Sequence, residues 1–148
     1  MRAVVQRVGW ARVSVAGQVV GSLEGPGLVV LLGVAQGDRE EESAAMASKI
    51  WTLRIMSDED GRMNRPVADV GGGVLVISQF TLCGDASKGR RPSFAEAAPA
   101  AIAEPLVERF VEQLRRLGAT VATGRFGAHM LVELGNDGPV TMVLDTAR

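Results

Sequence analysis

Apolar and polar residues follow three rhythms along this chain. A period of two runs through Ala3-Val4-Val5-Gln6-Arg7-Val8, Ala11-Arg12-Val13-Ser14-Val15 and Gln18-Val19-Val20-Gly21-Ser22-Leu23, with a turn at Ala16-Gly17 and further punctuation at Gly25-Pro26-Gly27. These segments predict a meander of strands. Two unbroken apolar runs, residues 28–34 and Val74-Leu75-Val76-Ile77, predict strands covered on both faces. Helical spacing appears twice. Met46, Ile50 and Leu53, with Trp51 beside them, predict an amphipathic helix over residues 39–51. Asp38 and Glu41 form a candidate capping box, and Glu40-Glu41-Glu42 suit the helix dipole better than a metal. Ile102, Leu106, Val107, Phe110, Val111, Leu114 and Leu117 mark a longer helix, starting near Pro105 and stopping at Gly118. Ser93 with Glu96 is a second candidate box ahead of it. The chain returns to strands at Thr120-Val121-Ala122, residues 130–134 and residues 140–144. The last two are joined by Gly135-Asn136-Asp137-Gly138-Pro139, whose Asp-Gly reads as a hairpin turn.

Composition narrows the chemistry. A length of 148 residues, without repeats, low-complexity tracts or linkers, predicts one domain over 1–148. No apolar run approaches the ~20 residues of a membrane helix, and the first residues alternate like a strand instead of forming a secretory signal. One cysteine, Cys83, allows no internal disulfide and points to the cytoplasm. With a single histidine, His129, no tyrosine and no Cys-x-x-Cys, a His/Cys zinc site within one subunit is excluded. A Ser–His–Asp triad could use only His129, which reads as an exposed or hydrogen-bonded strand residue. A net charge of −1 argues against a broad nucleic-acid groove and leaves room for a local patch. Residues 57–72 are polar and glycine-rich. Ser57-Asp58-Glu59-Asp60-Gly61 lacks the alternate ligands of a calcium loop and reads as a hairpin loop. Gly71-Gly72-Gly73 precedes a strand, where a phosphate loop would follow one.

Three stretches carry candidate chemistry. The apolar run at residues 74–77 ends in Ser78, Gln79 and Thr81 around Phe80, bringing polar side chains and backbone N–H groups to a sheet rim; a plain polar turn would have the same pattern. Lys88-Gly89-Arg90-Arg91 is the densest positive cluster, in a Gly/Pro-bounded loop that either lies in solvent or clamps phosphate. Gly138-Pro139 follows the turn signal.

Taken together, Ser78-Gln79-Phe80-Thr81-Leu82, Lys88-Gly89-Arg90-Arg91-Pro92-Ser93-Phe94, Gly124-Arg125-Phe126-Gly127-Ala128-His129-Met130 and Asn136-Asp137-Gly138-Pro139-Val140-Thr141, with the opening residues 1–8, resemble the bacterial and eukaryotic type of D-aminoacyl-tRNA deacylase over essentially the whole chain. The resemblance implies an α+β fold: β-barrel-like antiparallel and mixed sheets with two main covering helices. It further implies a homodimer with active sites at the interface, and a cis Gly138-Pro139 bond reaching into the partner's pocket. The implied substrate is a D-amino acid esterified to the terminal ribose of tRNA. No cofactor or metal is expected, and neither membrane nor DNA is an expected partner. The expected catalytic residues are Ser78, Gln79, Phe80 and Thr81, working through backbone N–H groups and the substrate's 2′-OH. Gly138 and Pro139 exclude L side chains while passing glycine. Arg7 holds their loop, or serves only as an ion-pair partner. Phe126 and Met130 line the pocket, or pack in the core. Lys88, Arg90 and Arg91 meet the tRNA. Trp10 and Cys83-Gly84 depart from the family's usual residues and are expected to flank the site. The competing readings are a non-catalytic tRNA-binding dimer and a small-molecule D-amino-acid esterase.

Overall fold

Burial along the first strand alternates as its sequence does, with Ala3, Val5, Ala11 and Val13 inside. The structure is a computed structural model that describes residues 1–147. Its strands are β1 (Arg2–Val15), β2 (Gln18–Leu23), β3 (Gly27–Gly33), β4 (Met56–Ser57), β5 (Met63–Arg65), β6 (Gly73–Ser78), β7 (Val121–Thr123) and β8 (Leu131–Asp145). The helices are α1 (Glu40–Thr52) and α2 (Ala100–Arg116), with 3-10 turns at Val67–Val70 and Phe80–Cys83.

The long β1 organises the sheet. β8 pairs antiparallel with it from Arg2 to Ser14, β3 pairs with its first half (Arg2 to Val8) and β2 with its second (Ala11 to Val15). β6 lies parallel to β3, and β7 parallel to β6. The sheet then curls until β7 meets β2. A Cβ on Gly21 would lie 2.4 Å from the Thr123 carbonyl oxygen, so only glycine permits this near-closure into a barrel.

The uninterrupted apolar runs are now explained, because both faces of the sheet are covered. Leu28, Val30, Val74 and Val76 point outward to Met46, Ile50, Phe110 and Leu114 of the two helices. Val29, Leu75 and Ile77 point inward to Val8, Val13 and Leu23. Burying such a side chain contributes about 1.5–3 kcal/mol. The helices are joined to one another by Ser43, fully buried, whose hydroxyl donates to the Leu106 carbonyl at 2.7 Å.

Several local expectations are corrected. The first two strand segments are one strand. Residues 131–145 are also one strand: both halves pair with β1, so no hairpin forms at 135–139. The box at α1 uses the Arg39 N–H and Glu42, at 2.8 Å, whereas Asp38 accepts from the Ala35 N–H. Ser93 and Glu96 cap nothing; α2 begins at Ala100 behind Pro99, and Pro105 sits inside it. Ile102 and Leu117 lie exposed at the ends of the expected stripe. The hairpin at residues 57–72 forms as β4 and β5.

Candidate active site

Parallel strands β3 and β6 end side by side, with Leu32 paired to Ser78. Their carboxyl ends open a crevice, the usual place for a ligand where parallel strands terminate. The Gln79 N–H donates to the Leu32 carbonyl at 2.8 Å and so holds the chain to β3 as it leaves the sheet. The next residues turn into the 3-10 helix Phe80–Cys83, capped by the Gly84 N–H on the Thr81 carbonyl at 3.0 Å. Being in its first turn, the Phe80 and Thr81 N–H groups have no acceptor among the described residues. The Gln79 side-chain amide donates to the Thr81 hydroxyl oxygen.

A cavity of about 380 Å³ lies against this turn. Ser78, Gln79 and Phe80 form one rim, Leu32, Val34 and Ile77 the floor, and Ala98, Ala100, Ala103 and Val107 the helix side. Phe126 to Met130 close the far side, so Phe126 and Met130 do line it. His129 is the only titratable side chain in this wall and is exposed. Its backbone lies in a loop, not a strand. Thr81 is exposed and outside the lining. Trp10 and Cys83 are also outside it. Cys83 is buried beneath the turn, and burial pushes its thiol pKa up.

The basic residues lie on a loop tied to this rim. Phe94 packs edge-on against Phe80, with ring centroids 5.2 Å apart. Asp85 and Ser93 exchange backbone hydrogen bonds of 2.8 Å, closing a loop on which Lys88, Arg90 and Arg91 are all exposed. Hydrogen bonding from Ser87, through its side chain and then its backbone N–H, holds the Asp85 carboxyl below the usual range.

Gly138, Pro139 and Arg7 form a separate group that does not reach this cavity within one chain. In the β1–β8 ladder Gln6 faces Thr141 and Val8 faces Asn136, so residues 137–140 bulge opposite Arg7 alone. The Gly138-Pro139 peptide is cis, and both residues are exposed. Gly138 has φ +132°, where an L side chain is strained, and a Cβ there would lie 2.7 Å from Val140 Cγ2. Arg7, buried, donates from Nε to the Asp137 carbonyl at 3.0 Å and from Nη1 to the Ile55 carbonyl at 2.9 Å. The Asp137 carboxylate also lies 3.3 Å from Nε. Asn136 closes the bulge by donating to the Arg7 and Val140 carbonyls at 2.9 and 3.0 Å. The expected contact of Arg7 with this loop is thus made at Asp137, next to Gly138.

Sequence reasoning missed the helix side of the cavity. Ala98, Ala100 and Ala103 leave space where larger side chains would fill it, and the alanine-rich run at residues 95–103 was the one signal of it.

A family model described as D-Tyr-tRNA(Tyr) deacylase matches residues 4–145. The D-aminoacyl-tRNA deacylase of Roseiflexus sp. (strain RS-1) is 58% identical over 147 residues, covering 99% of this chain and 94% of that protein. That of Heliobacterium modesticaldum (strain ATCC 51547 / Ice1) is 59% identical over 145 residues, covering 98% and 96%. Among solved structures, "c-Myc DNA Unwinding Element Binding Protein" superposes with a TM-score of 0.93 at 41% identity, covering 99% of both chains. A structure titled as a probable eukaryotic D-amino acid tRNA deacylase has a TM-score of 0.81 at 16% identity over 97% of both chains, a likeness of fold.

Proposed function

Since this chain belongs to the D-Tyr-tRNA(Tyr) deacylase family, we propose that it is a hydrolase that cleaves the ester between a D-amino acid and the terminal ribose of tRNA, releasing free D-amino acid and reusable tRNA. The observation that carries this reading is the apolar cavity, with almost no titratable side chain, whose rim ends at Phe80 with an unengaged backbone N–H, the equally unengaged Thr81 N–H following it in the same turn. An aminoacyl ester is already activated. Its hydrolysis needs mainly a stabilised oxyanion and a placed water. The Phe80 and Thr81 N–H groups suit the first task, and one such donor contributes about 3–4 kcal/mol in other hydrolases. Covalent catalysis by Thr81 is disfavoured, because its hydroxyl oxygen accepts from a neutral amide, which cannot take its proton. In this reading, as the family resemblance implies, the substrate's own 2′-OH positions the water.

Handedness is selected by main chain. In this reading Gly138 and Pro139 of a second copy enter the cavity, and their carbonyls crowd the side of the α-carbon that an L side chain would occupy. Glycine, without a side chain, passes and is also released. Exposure of the bulge and its distance from the cavity of its own chain support the exchange between copies. So does β8, which pairs with one strand only and exposes Leu131, Met142 and Val143. The exposed Lys88, Arg90 and Arg91 meet the tRNA backbone, and the Phe80–Phe94 contact links their loop to the cavity. The site of action is the cytoplasm; among the described residues no helix is long and apolar enough to cross a membrane.

Parallel incubation with D- and L-aminoacylated tRNA, and with D-amino-acid methyl esters, tests the reading. Release of the D-amino acid from tRNA alone is expected. Binding without release would mark an RNA-binding protein, and equal turnover of the methyl esters a small-molecule esterase.

A further inference from the structure

A second cavity of about 350 Å³ adjoins the first and shares Ser78 and Phe126 with it. It lies between α2 and residues 123–126, with Val76, Val107 and Val111 as its apolar base. Four charged side chains line it. Glu104, Glu108 and Arg115 come from one face of α2, and Arg125 comes from the segment after β7. Among the described residues none of the four takes part in an ion pair. The neighbouring charges of α2 behave differently: Glu112 holds both Arg109, at 3.3 Å, and Arg116, at 2.8 Å. The charges over the cavity are left free to meet a ligand.

We infer that this cavity is a subsite for the nucleotide that precedes the reacting terminal adenosine, the cytidine of the tRNA C–C–A end; the inference rests on the deacylase reading above. A polynucleotide whose last nucleoside occupies the first cavity must carry its next unit onto adjoining surface, and the shared Ser78–Phe126 wall is a direct continuation. Both chemistries of that unit are matched. Arginine forks engage phosphodiester oxygens, which assigns the phosphate to Arg115 and Arg125. A carboxylate accepts from the exocyclic amine of cytosine, which assigns the base to Glu104 and Glu108. The apolar base and the Phe126 ring supply the stacking surface that unpaired bases use.

The test compares three D-amino-acid esters: of adenosine, of the dinucleotide CpA and of intact tRNA. For the unaltered protein, kcat/KM is expected to rise by about tenfold or more from adenosine to CpA, as a charge-assisted hydrogen bond would give. Arg115→Ala and Arg125→Ala should each remove that gain while leaving the adenosine ester unaffected. Each should also flatten the log–log salt dependence of kcat/KM on CpA by about 0.7 for every phosphate no longer neutralised. Glu104→Gln with Glu108→Gln should erase any preference for CpA over UpA. Equal turnover of adenosine and CpA esters by the unaltered protein overturns the subsite, as does an equal loss on both in the arginine variants. Failure to cleave any of the three overturns the deacylase reading and the subsite with it.

Discussion

Arg7 offers the most direct way to disturb the Gly138-Pro139 bulge without touching it. The side chain is buried, and its guanidinium reaches two carbonyls from different parts of the chain, Asp137 at 3.0 Å and Ile55 at 2.9 Å. Lysine brings one ammonium to a place where two directions must be served, so Arg7→Lys retains one of these bonds at most. The missing bond is to a charged donor and is worth about 1.5–3 kcal/mol. For a chain of this length that is a fall in Tm of about 3–12 °C. Arg7→Ala removes both carbonyl bonds and should cost roughly 3–6 kcal/mol, to which the Asp137 carboxylate, itself exposed to solvent, adds little when it loses its cation. The assay pairs thermal unfolding, at fixed protein concentration, with single-turnover deacylation of D- and L-charged tRNA. The bulge loses its anchor beside Gly138. Discrimination between the two should therefore drop by about tenfold in the lysine variant at temperatures where it is fully folded, equivalent to about 1.4 kcal/mol. An Arg7→Lys protein with the parent's melting temperature and D/L ratio would refute the reasoning. One destabilised as expected but fully selective would confine Arg7 to a structural role.

Gly138→Ala, which brings a Cβ to 2.7 Å from Val140 Cγ2 at a φ of +132°, should fold with a loss of about 1–3 kcal/mol. It should lose activity or chiral selectivity, and unchanged D/L kinetics would sink the main-chain filter. Thr81→Ala should keep substantial turnover by single-turnover kinetics; an inactive, folded variant would revive a covalent route. Replacing Lys88, Arg90 and Arg91 together with alanine should weaken tRNA binding most at low salt, as measured by filter binding across a salt series. Identical affinity at every salt concentration would confine the loop to a structural role. The Asp85 carboxyl is held below its ordinary range, so its contribution to loop closure is complete above the unfolded carboxylate value of about 3.9 and is lost as pH falls through the lower folded value. Amide protection factors in residues 86–91, taken relative to the base-catalysed intrinsic rate at each pH, should therefore stay constant between about pH 5 and 8 and fall only in stronger acid, and Asp85→Asn should show the lowered protection throughout.

Much of the architecture was legible because burial leaves a direct trace in residue type. The runs at residues 28–34 and 74–77 are apolar at every position because alternate side chains serve two different cores. What was not legible depended on competition between equally good local signals. Asp137-Gly138 is a sound turn dipeptide, yet the segments around it do not pair with each other, since β1 presents a free edge long enough for both. Pro99 and Pro105 both qualify as a helix start, and backbone sterics alone do not say which one opens α2. For the site, the segment after β6 announced itself through polar residues after an apolar strand. The helix wall, Ala98, Ala100, Ala103 and Val107, bears no reactive group, and its run of alanines was the one trace it left in the sequence. Gly138 and Pro139 were legible as an unusual dipeptide, while their separation from the cavity of their own chain followed only from the β1–β8 register.

The excursion opposite Arg7 interrupts a strand whose two halves are both in register with the same partner. Side chains on a strand alternate sides, so a single added or deleted residue beyond the excursion would turn Val132 and Leu134, or Val140 and Leu144, out of the interior. The excursion itself is held to length by the bonds that cross it, Asn136 to the Arg7 and Val140 carbonyls and Arg7 to the Asp137 carbonyl, which an inserted residue would part, much as a keystone is held by its arch. Related chains should vary freely at the loop of residues 57–62 and hold the span from Asn136 to Thr141 to a constant count, whatever amino acid each is made to remove.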